Sequence, residues 1–142
     1  MKLAIASDHA GYELKEKMKL HLTQMGHEVE DFGTNSTEST DYPDYAHPLS
    51  ASVESGKNQL GILICGSGNG VCMTANHHAG IRAALAWNKE IAELARQHNN
   101  ANVLCLPARY ISTEEAFAIT EAYLNAHFEG GRHERRVEKI AL

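Results

Sequence analysis

Short apolar runs alternate along the chain with longer stretches in which apolar residues recur every three or four positions, the pattern of strands alternating with helices. Lys2-Leu-Ala-Ile-Ala-Ser7 is an apolar run closed by polar Asp8-His9-Ala10-Gly11, which predicts a buried strand meeting a loop. From Tyr12 to Met25, the residues Leu14, Met18, Leu22 and Met25 fall at offsets of four, four and three, one helical stripe that Gly26 ends. His27-Glu-Val-Glu-Asp-Phe32 alternates as a strand near a sheet edge does, and residues 33–44, rich in Asn, Ser, Thr and Asp, read as a loop. Tyr45 to Gly56 suits a helix with Pro48 in its first turn, and Leu60-Gly-Ile-Leu-Ile-Cys65 is a fully apolar strand running into Gly66-Ser-Gly-Asn-Gly70.

A helical stretch then reaches about His77, Ile81 to Trp87 reads as a strand, and Lys89 to His98 carries Ile91, Leu94 and Ala95 on one face. Val103-Leu-Cys-Leu106 is a fifth strand. Ser112-Thr-Glu-Glu115 has the capping-box pattern and opens a helix to about His127, which Gly130-Gly131 stops, and a last short helix spans Arg132 to Ile140. The alternation predicts an α/β fold: an open, mostly parallel five-stranded Rossmann-like sheet with helices on both faces, in three layers. Ligands in such sheets bind beyond the carboxyl ends of strands, where strand order reverses, so the loops after the first and third strands are the places to look for chemistry.

At 142 residues, with 43% apolar and 22% charged positions, the chain suits one globular domain, 1–142. A net charge of −5 argues against affinity for nucleic acid or an anionic membrane surface, so any anion must be met by local groups. No apolar run approaches the roughly 20 residues of a membrane helix, and polar residues stand where a signal peptide would have its apolar segment, so a cytoplasmic protein is expected. Cys65, Cys72 and Cys105 form no Cys-x-x-Cys pair, and the nine histidines are dispersed, so neither a disulfide framework nor a metal site is expected.

Three glycines in five residues let the backbone after Cys65 turn successive N–H groups toward one point, while the next helix adds its positive end. Such a loop holds negative charge, although a plain strand-to-helix connection looks the same in sequence. The spacing departs from Gly-x-Gly-x-x-Gly and no Lys-Ser or Lys-Thr follows, which counts against a nucleotide. A thiol at the lip of this loop has its thiolate favoured by the amide dipoles, so Cys65 is a candidate base or nucleophile, whereas Cys72 and Cys105 read as buried packing residues. A phosphatase-type loop would need an arginine six positions after the cysteine, where Val71 stands.

Asp8 and His9 lie beyond the first strand near the predicted crevice, with an N-cap as the plainer role. His98-Asn99 ends a helix, the usual place for a histidine interacting with the helix dipole. Arg132 and Arg136 are four apart, so a helix presents both guanidinium groups on one face, toward a phosphate or toward Glu134 and Glu138; Arg109, after the fifth strand, is a third anion ligand candidate.

Ser7-Asp-His-Ala-Gly11, Thr40-Asp-Tyr-Pro43, Ile64-Cys-Gly-Ser-Gly-Asn-Gly70, Arg96-Gln-His-Asn99 and Glu129-Gly-Gly-Arg-His-x-x-Arg136 together resemble the type B ribose-5-phosphate isomerases, a family that also contains galactose- and allose-6-phosphate isomerases. The resemblance implies aldose–ketose isomerisation through an enediolate, without metal or organic cofactor. Cys65 would be the base; a related branch lacks this cysteine and has glutamate at the position of Val71. Ser67 would assist proton transfer, the amides of Gly66 through Gly70, including Gly68 and Asn69, would stabilise the enediolate, and His98 would open the furanose ring. Asp8, Tyr42 and Asn99 would bind the sugar, and His9, Arg109, Arg132 and Arg136 the phosphate. Residues 130–142 would reach the second subunit of a homodimer with shared sites, with pairing of dimers a further option. A hexose-6-phosphate isomerase and a non-catalytic phosphosugar-binding module are the alternatives; retention of Cys65, Ser67 and His98 disfavours the module.

Overall fold

The computed structural model describes residues 1–141, so Leu142, the last residue of the expected domain, lies outside the described residues. Strands β1 (Lys2–Ser7), β2 (Glu28–Asp31), β3 (Leu60–Cys65), β4 (Ala83–Leu85) and β5 (Val103–Pro107) alternate with helices α1 (Tyr12–Gln24), α2 (Pro43–Glu54), α3 (Asn69–Ala75), α4 (Lys89–Asn99), α5 (Thr113–Asn125) and α6 (Arg132–Glu138). All strand pairs are parallel, in the order β2-β1-β3-β5-β4. The chain leaves β1 for β2 on one side and returns to β3 on the other, so the crevice of an open α/β sheet falls between the carboxyl ends of β1 and β3.

Strand alternation divides the core. Leu3, Ile5, Ile62, Ile64, Leu104 and Leu106 face α1, α4 and α5, whereas Ala4, Ala6, Leu63, Cys65 and Cys105 face α2 and α3. Small residues on the second face let α2 lie close; a Cβ on Gly61 would come within 2.7 Å of Leu49 Cδ2. No helix among the described residues is long and apolar enough to cross a membrane.

Several boundaries differ from the sequence reading. The helix expected from Tyr45 begins at Pro43, because proline at the first helical position gives up an N–H that has no helical partner there. Pro48 consequently lies inside α2 rather than in its first turn. The strand expected over Ile81–Trp87 shrinks to three residues, since β4 is an edge strand and its approach is bonded elsewhere. Asn102 Oδ1 accepts the Arg82 N–H at 2.8 Å and Asn76 Oδ1 the Ala83 N–H at 2.8 Å. The helix expected to reach His127 stops at Asn125, and the last helix stops at Glu138 rather than Ile140. Met25 is exposed, because α1 ends one residue before it, while Lys15, next to the predicted stripe, is fully buried. The Ser112 capping box forms as the sequence indicates, with both reciprocal bonds present.

Candidate active site

At the carboxyl ends of β1, β3 and β5 lies a cavity of about 320 Å³ lined by Asp8, His9, Ala10, Tyr42, Cys65, Gly66, Ser67, Gly70, Arg109 and Tyr110. Three larger hollows, of about 640, 690 and 390 Å³, lie away from the glycine loop, between α4 and α5, beside the β4 edge and between α1 and the start of α5.

Cys65 is the last residue of β3 and is 5% exposed, yet its sulfur faces the loop: the Gly68 N–H donates to Cys65 Sγ at 3.2 Å. Gly68 can do this because it adopts φ +78°, a left-handed conformation that side chains disfavour. The exposed Ser67 hydroxyl accepts the Asn69 N–H at 3.3 Å. Two of the five amides expected to meet an oxyanion are therefore engaged by Cys65 and Ser67, while those of Gly66, Ser67 and Gly70 make no hydrogen bond among the described residues. The loop is laced to the end of β5 by the Ala108 N–H to Cys65 O, at 2.9 Å, and the Arg109 N–H to Gly66 O, at 3.0 Å. This brings Arg109 over the loop, where a Cβ on Gly66 would lie 3.1 Å from Arg109 Nη1.

Tyr42 precedes α2 and lies across the loop, so that a Cβ on Gly70 would come within 2.6 Å of its ring. Asp8 has the N-cap role: Oδ1 accepts the Ala10 N–H at 3.0 Å and the Gly11 N–H at 3.2 Å, which leaves Oδ2 without a partner among the described residues. His9 Nδ1 accepts the Thr40 N–H at 3.2 Å, so the proton of a neutral ring sits on Nε2. The crevice thus gathers Asp8, His9, Tyr42, Cys65, Ser67 and Arg109, with an N–H-rich loop beneath them.

His98, Asn99, Arg132 and Arg136 do not join this cluster. The helix after a parallel strand runs back toward the amino edge of the sheet, and α4 does so. The residues following it are bonded there, with Asn102 N–H to Arg82 O at 3.0 Å and Gly61 N–H to Asn102 O at 2.9 Å. The Glu129 N–H to Gln97 O bond, at 3.0 Å, ties the segment before α6 to the same helix end. Arg132 and Arg136 are exposed and, among the described residues, make no ion pair with Glu134 or Glu138. The residues singled out in the sequence therefore fall into two groups at opposite edges of the sheet.

Sequence reasoning gave no role to Tyr110, or to Glu129 and His133 within the Glu129 to Arg136 motif. Tyr110 lines the cavity directly after Arg109; His133 is buried against His98, with ring centroids 4.2 Å apart and planes 8° from parallel. The imidazoles of His98 and His133 and the Glu129 carboxylate place their nearest ligand atoms within 4.8 Å of one another, a convergence the dispersed histidines of the sequence did not suggest. A metal ion must lie near the plane of each imidazole that binds it, and two parallel stacked rings share no such point. Cys105 is fully buried behind α3, and burial raises its thiol well above the ordinary range, which fits the packing role expected of it. Cys72 is instead half-buried on α3.

The fold and crevice define an open α/β protein whose switch point brings a thiol, a carboxylate, an imidazole and a guanidinium to a glycine-rich loop. The Ribose/Galactose Isomerase profile matches residues 3–140. Ribose-5-phosphate isomerase B of Escherichia coli is 47% identical over 98% of this chain and 93% of its own. A ribose 5-phosphate isomerase structure from Thermotoga maritima superposes with TM-score 0.96 at 55% identity, covering 98% of this chain and 96% of that one. The Mycoplasma genitalium ribose-5-phosphate isomerase B structure, which has ribulose-5-phosphate bound, superposes with TM-score 0.94 at 47% identity over 97% and 92% of the two chains. The chain belongs to the ribose/galactose isomerase family.

Proposed function

We propose that the protein interconverts ribose 5-phosphate and ribulose 5-phosphate through an enediolate, with Cys65 as the base. The observation that carries the reading is the Gly68 N–H on Cys65 Sγ at the wall of a cavity that also holds unengaged amides and Arg109. A thiolate so solvated takes the proton from C2 and returns it to C1. The amides of Gly66, Ser67 and Gly70 meet the developing oxyanion, and the Ser67 hydroxyl passes protons between the substrate oxygens. Asp8 and Tyr42 hold the sugar, and His9 and Arg109 meet the phosphate.

The remaining groups come from a second copy of the chain. In a homodimer, the edge carrying His98, Asn99, Arg132 and Arg136 of one protomer faces the Cys65 crevice of the other, so residues 130–142 belong functionally to the partner's site. His98 then opens the furanose, Asn99 binds the sugar, and the two arginines complete the phosphate clamp. Three free cysteines suit the reducing cytoplasm, where the substrate is dissolved.

The test measures solvent proton exchange and isomerisation on ribose 5-phosphate and allose 6-phosphate, for the wild type and Cys65→Ala. Wild-type protein should turn over the pentose phosphate in preference to the hexose phosphate. Cys65→Ala should lose about 10²- to 10⁴-fold in turnover with nearly unchanged substrate affinity. Wild-type-like turnover in that variant would remove the cysteine from the mechanism.

A further inference from the structure

His98 stands on the last turn of α4 with its side chain 38% exposed, a position from which an isolated imidazole samples several rotamers. Here two groups limit it. The His133 ring lies parallel against its face at a centroid distance of 4.2 Å. Glu129 Oε1 lies 3.7 Å from His98 Nε2 and 3.5 Å from His133 Nε2, an ion-pair separation from the same edge of the stack, without a hydrogen bond to either ring. Both groups are anchored by backbone, Glu129 through its N–H to Gln97 O at 3.0 Å and His133 through its N–H to Gly130 O at 3.1 Å.

We propose that Glu129 and His133 are positioning residues that hold His98 in one plane and one orientation for opening the sugar ring. This rests on the ring-opening role given to His98 above. With Nε2 turned to Glu129, Nδ1 of His98 is the nitrogen left to act, and it makes no hydrogen bond among the described residues. A protonated His98 gives its Nδ1 proton to the furanose oxygen as the bond from C1 to that oxygen breaks. The C1 hydroxyl loses its proton to water and becomes the open-chain carbonyl, while Nε2 stays on the side of Glu129.

Two stacked imidazolium rings repel each other, and Glu129 supplies one negative charge between them. The groups facing the pair are Glu129 from the connecting segment and Arg132 and Arg136 from α6. Burial, with the nearby charges of His98 and Arg132, lowers the His133 pKa, which disfavours a second cation in the stack.

Ribulose 5-phosphate separates ring opening from proton abstraction, because its C5 oxygen is esterified and its C2 ketone cannot close a five-membered ring. The experiment compares isomerisation of ribose 5-phosphate with hydrogen–deuterium exchange at C1 of ribulose 5-phosphate, for His133→Ala, His133→Phe and Glu129→Gln. His133→Ala and Glu129→Gln should each lower turnover of ribose 5-phosphate about tenfold or more, while exchange on ribulose 5-phosphate stays within about twofold of the wild type. His133→Phe, which keeps a flat ring against His98, should recover most of the loss. Parallel falls in both reactions, or no fall in either, would overturn the positioning role. Should His133→Ala fail to fold, Glu129→Gln, at a side chain 51% exposed, decides the question by the same split. Wild-type protein that neither isomerises ribose 5-phosphate nor exchanges hydrogen at C1 would instead overturn the isomerase reading itself, and the positioning role with it.

Discussion

Gly68 joins the geometry of the thiol to the packing behind it. Its φ of +78° aims the N–H at Cys65 Sγ, and a Cβ there would lie 2.4 Å from Leu85 Cδ1 and 3.2 Å from the Leu106 carbonyl carbon. Gly68→Ala is therefore both strained and overpacked, and should cost about 1–3 kcal/mol in urea unfolding. It should also lower isomerisation more than tenfold in protein that remains folded, because the donor leaves the sulfur. A folded Gly68→Ala protein with wild-type turnover would show that the thiol does not need this N–H. The glycine spacing made the loop legible in sequence, but not the separate reasons for each glycine. Of Gly66, Gly68 and Gly70, the left-handed conformation is adopted by Gly68, whereas Gly66 and Gly70 leave room for Arg109 and Tyr42, which arrive from other elements. Contacts between residues 28 or 43 positions apart leave no mark in a local pattern.

At the scale of elements, the tie between α1 and β2 shows what burial does to a polar position. Lys15 is fully buried, with Nζ 2.6 Å from Asp31 Oδ2 and 2.8 Å from Glu16 Oε2, and Lys19 Nζ reaches the same Asp31 oxygen at 2.7 Å. Asp31 Oδ1 accepts the Gly33 N–H at 2.8 Å, and Gly33 O in turn accepts the Ser7 N–H at 2.8 Å, directly before Asp8. Removing the carboxylate leaves a buried ammonium short of its main partner. Asp31→Asn should therefore lose about 3 kcal/mol, and Lys15→Met, which removes the charge and keeps the volume, should lose less. Burial pushes the Asp31 carboxyl upward, but hydrogen bonds from Lys15, Lys19 and Gly33 outweigh it and hold the group below the usual carboxylate range. A carboxyl lowered on folding contributes stability above its unfolded pKa and loses it as pH falls through the folded one. Urea unfolding should thus be flat in this contribution above about pH 5 and weaken below about pH 4, with a shallower decline in Asp31→Asn. Helical periodicity placed α1 correctly but assigned Met25 to its apolar face and left Lys15 off it, because hydropathy registers side-chain polarity and not an acid waiting on the next strand.

For the whole molecule, the parallel sheet itself separates the two groups of candidate residues. Each strand delivers its following loop to the carboxyl edge, and each returning helix delivers its end to the amino edge, so Cys65 and His98 fall on opposite sides however the loops are drawn. That separation was latent in the sequence, since a histidine ending a helix between two parallel strands must lie at the amino edge; motif matching alone had gathered His98 with Cys65 without regard to direction. A shared dimer site makes a quantitative prediction. Cys65→Ala and the double variant Arg132→Ala with Arg136→Ala damage opposite halves, so at substrate concentrations below the wild-type KM each homodimer should be nearly inactive. After unfolding together and refolding as an equal mixture, half of the dimers should be heterodimers, each with one site carrying both defects and one carrying neither. Activity should then rise to about one quarter of the wild-type value. If all catalytic groups instead belonged to one chain, every site in the mixture would keep its own defect. Activity would then stay at the average of the two parents, and the composite site would have to be abandoned.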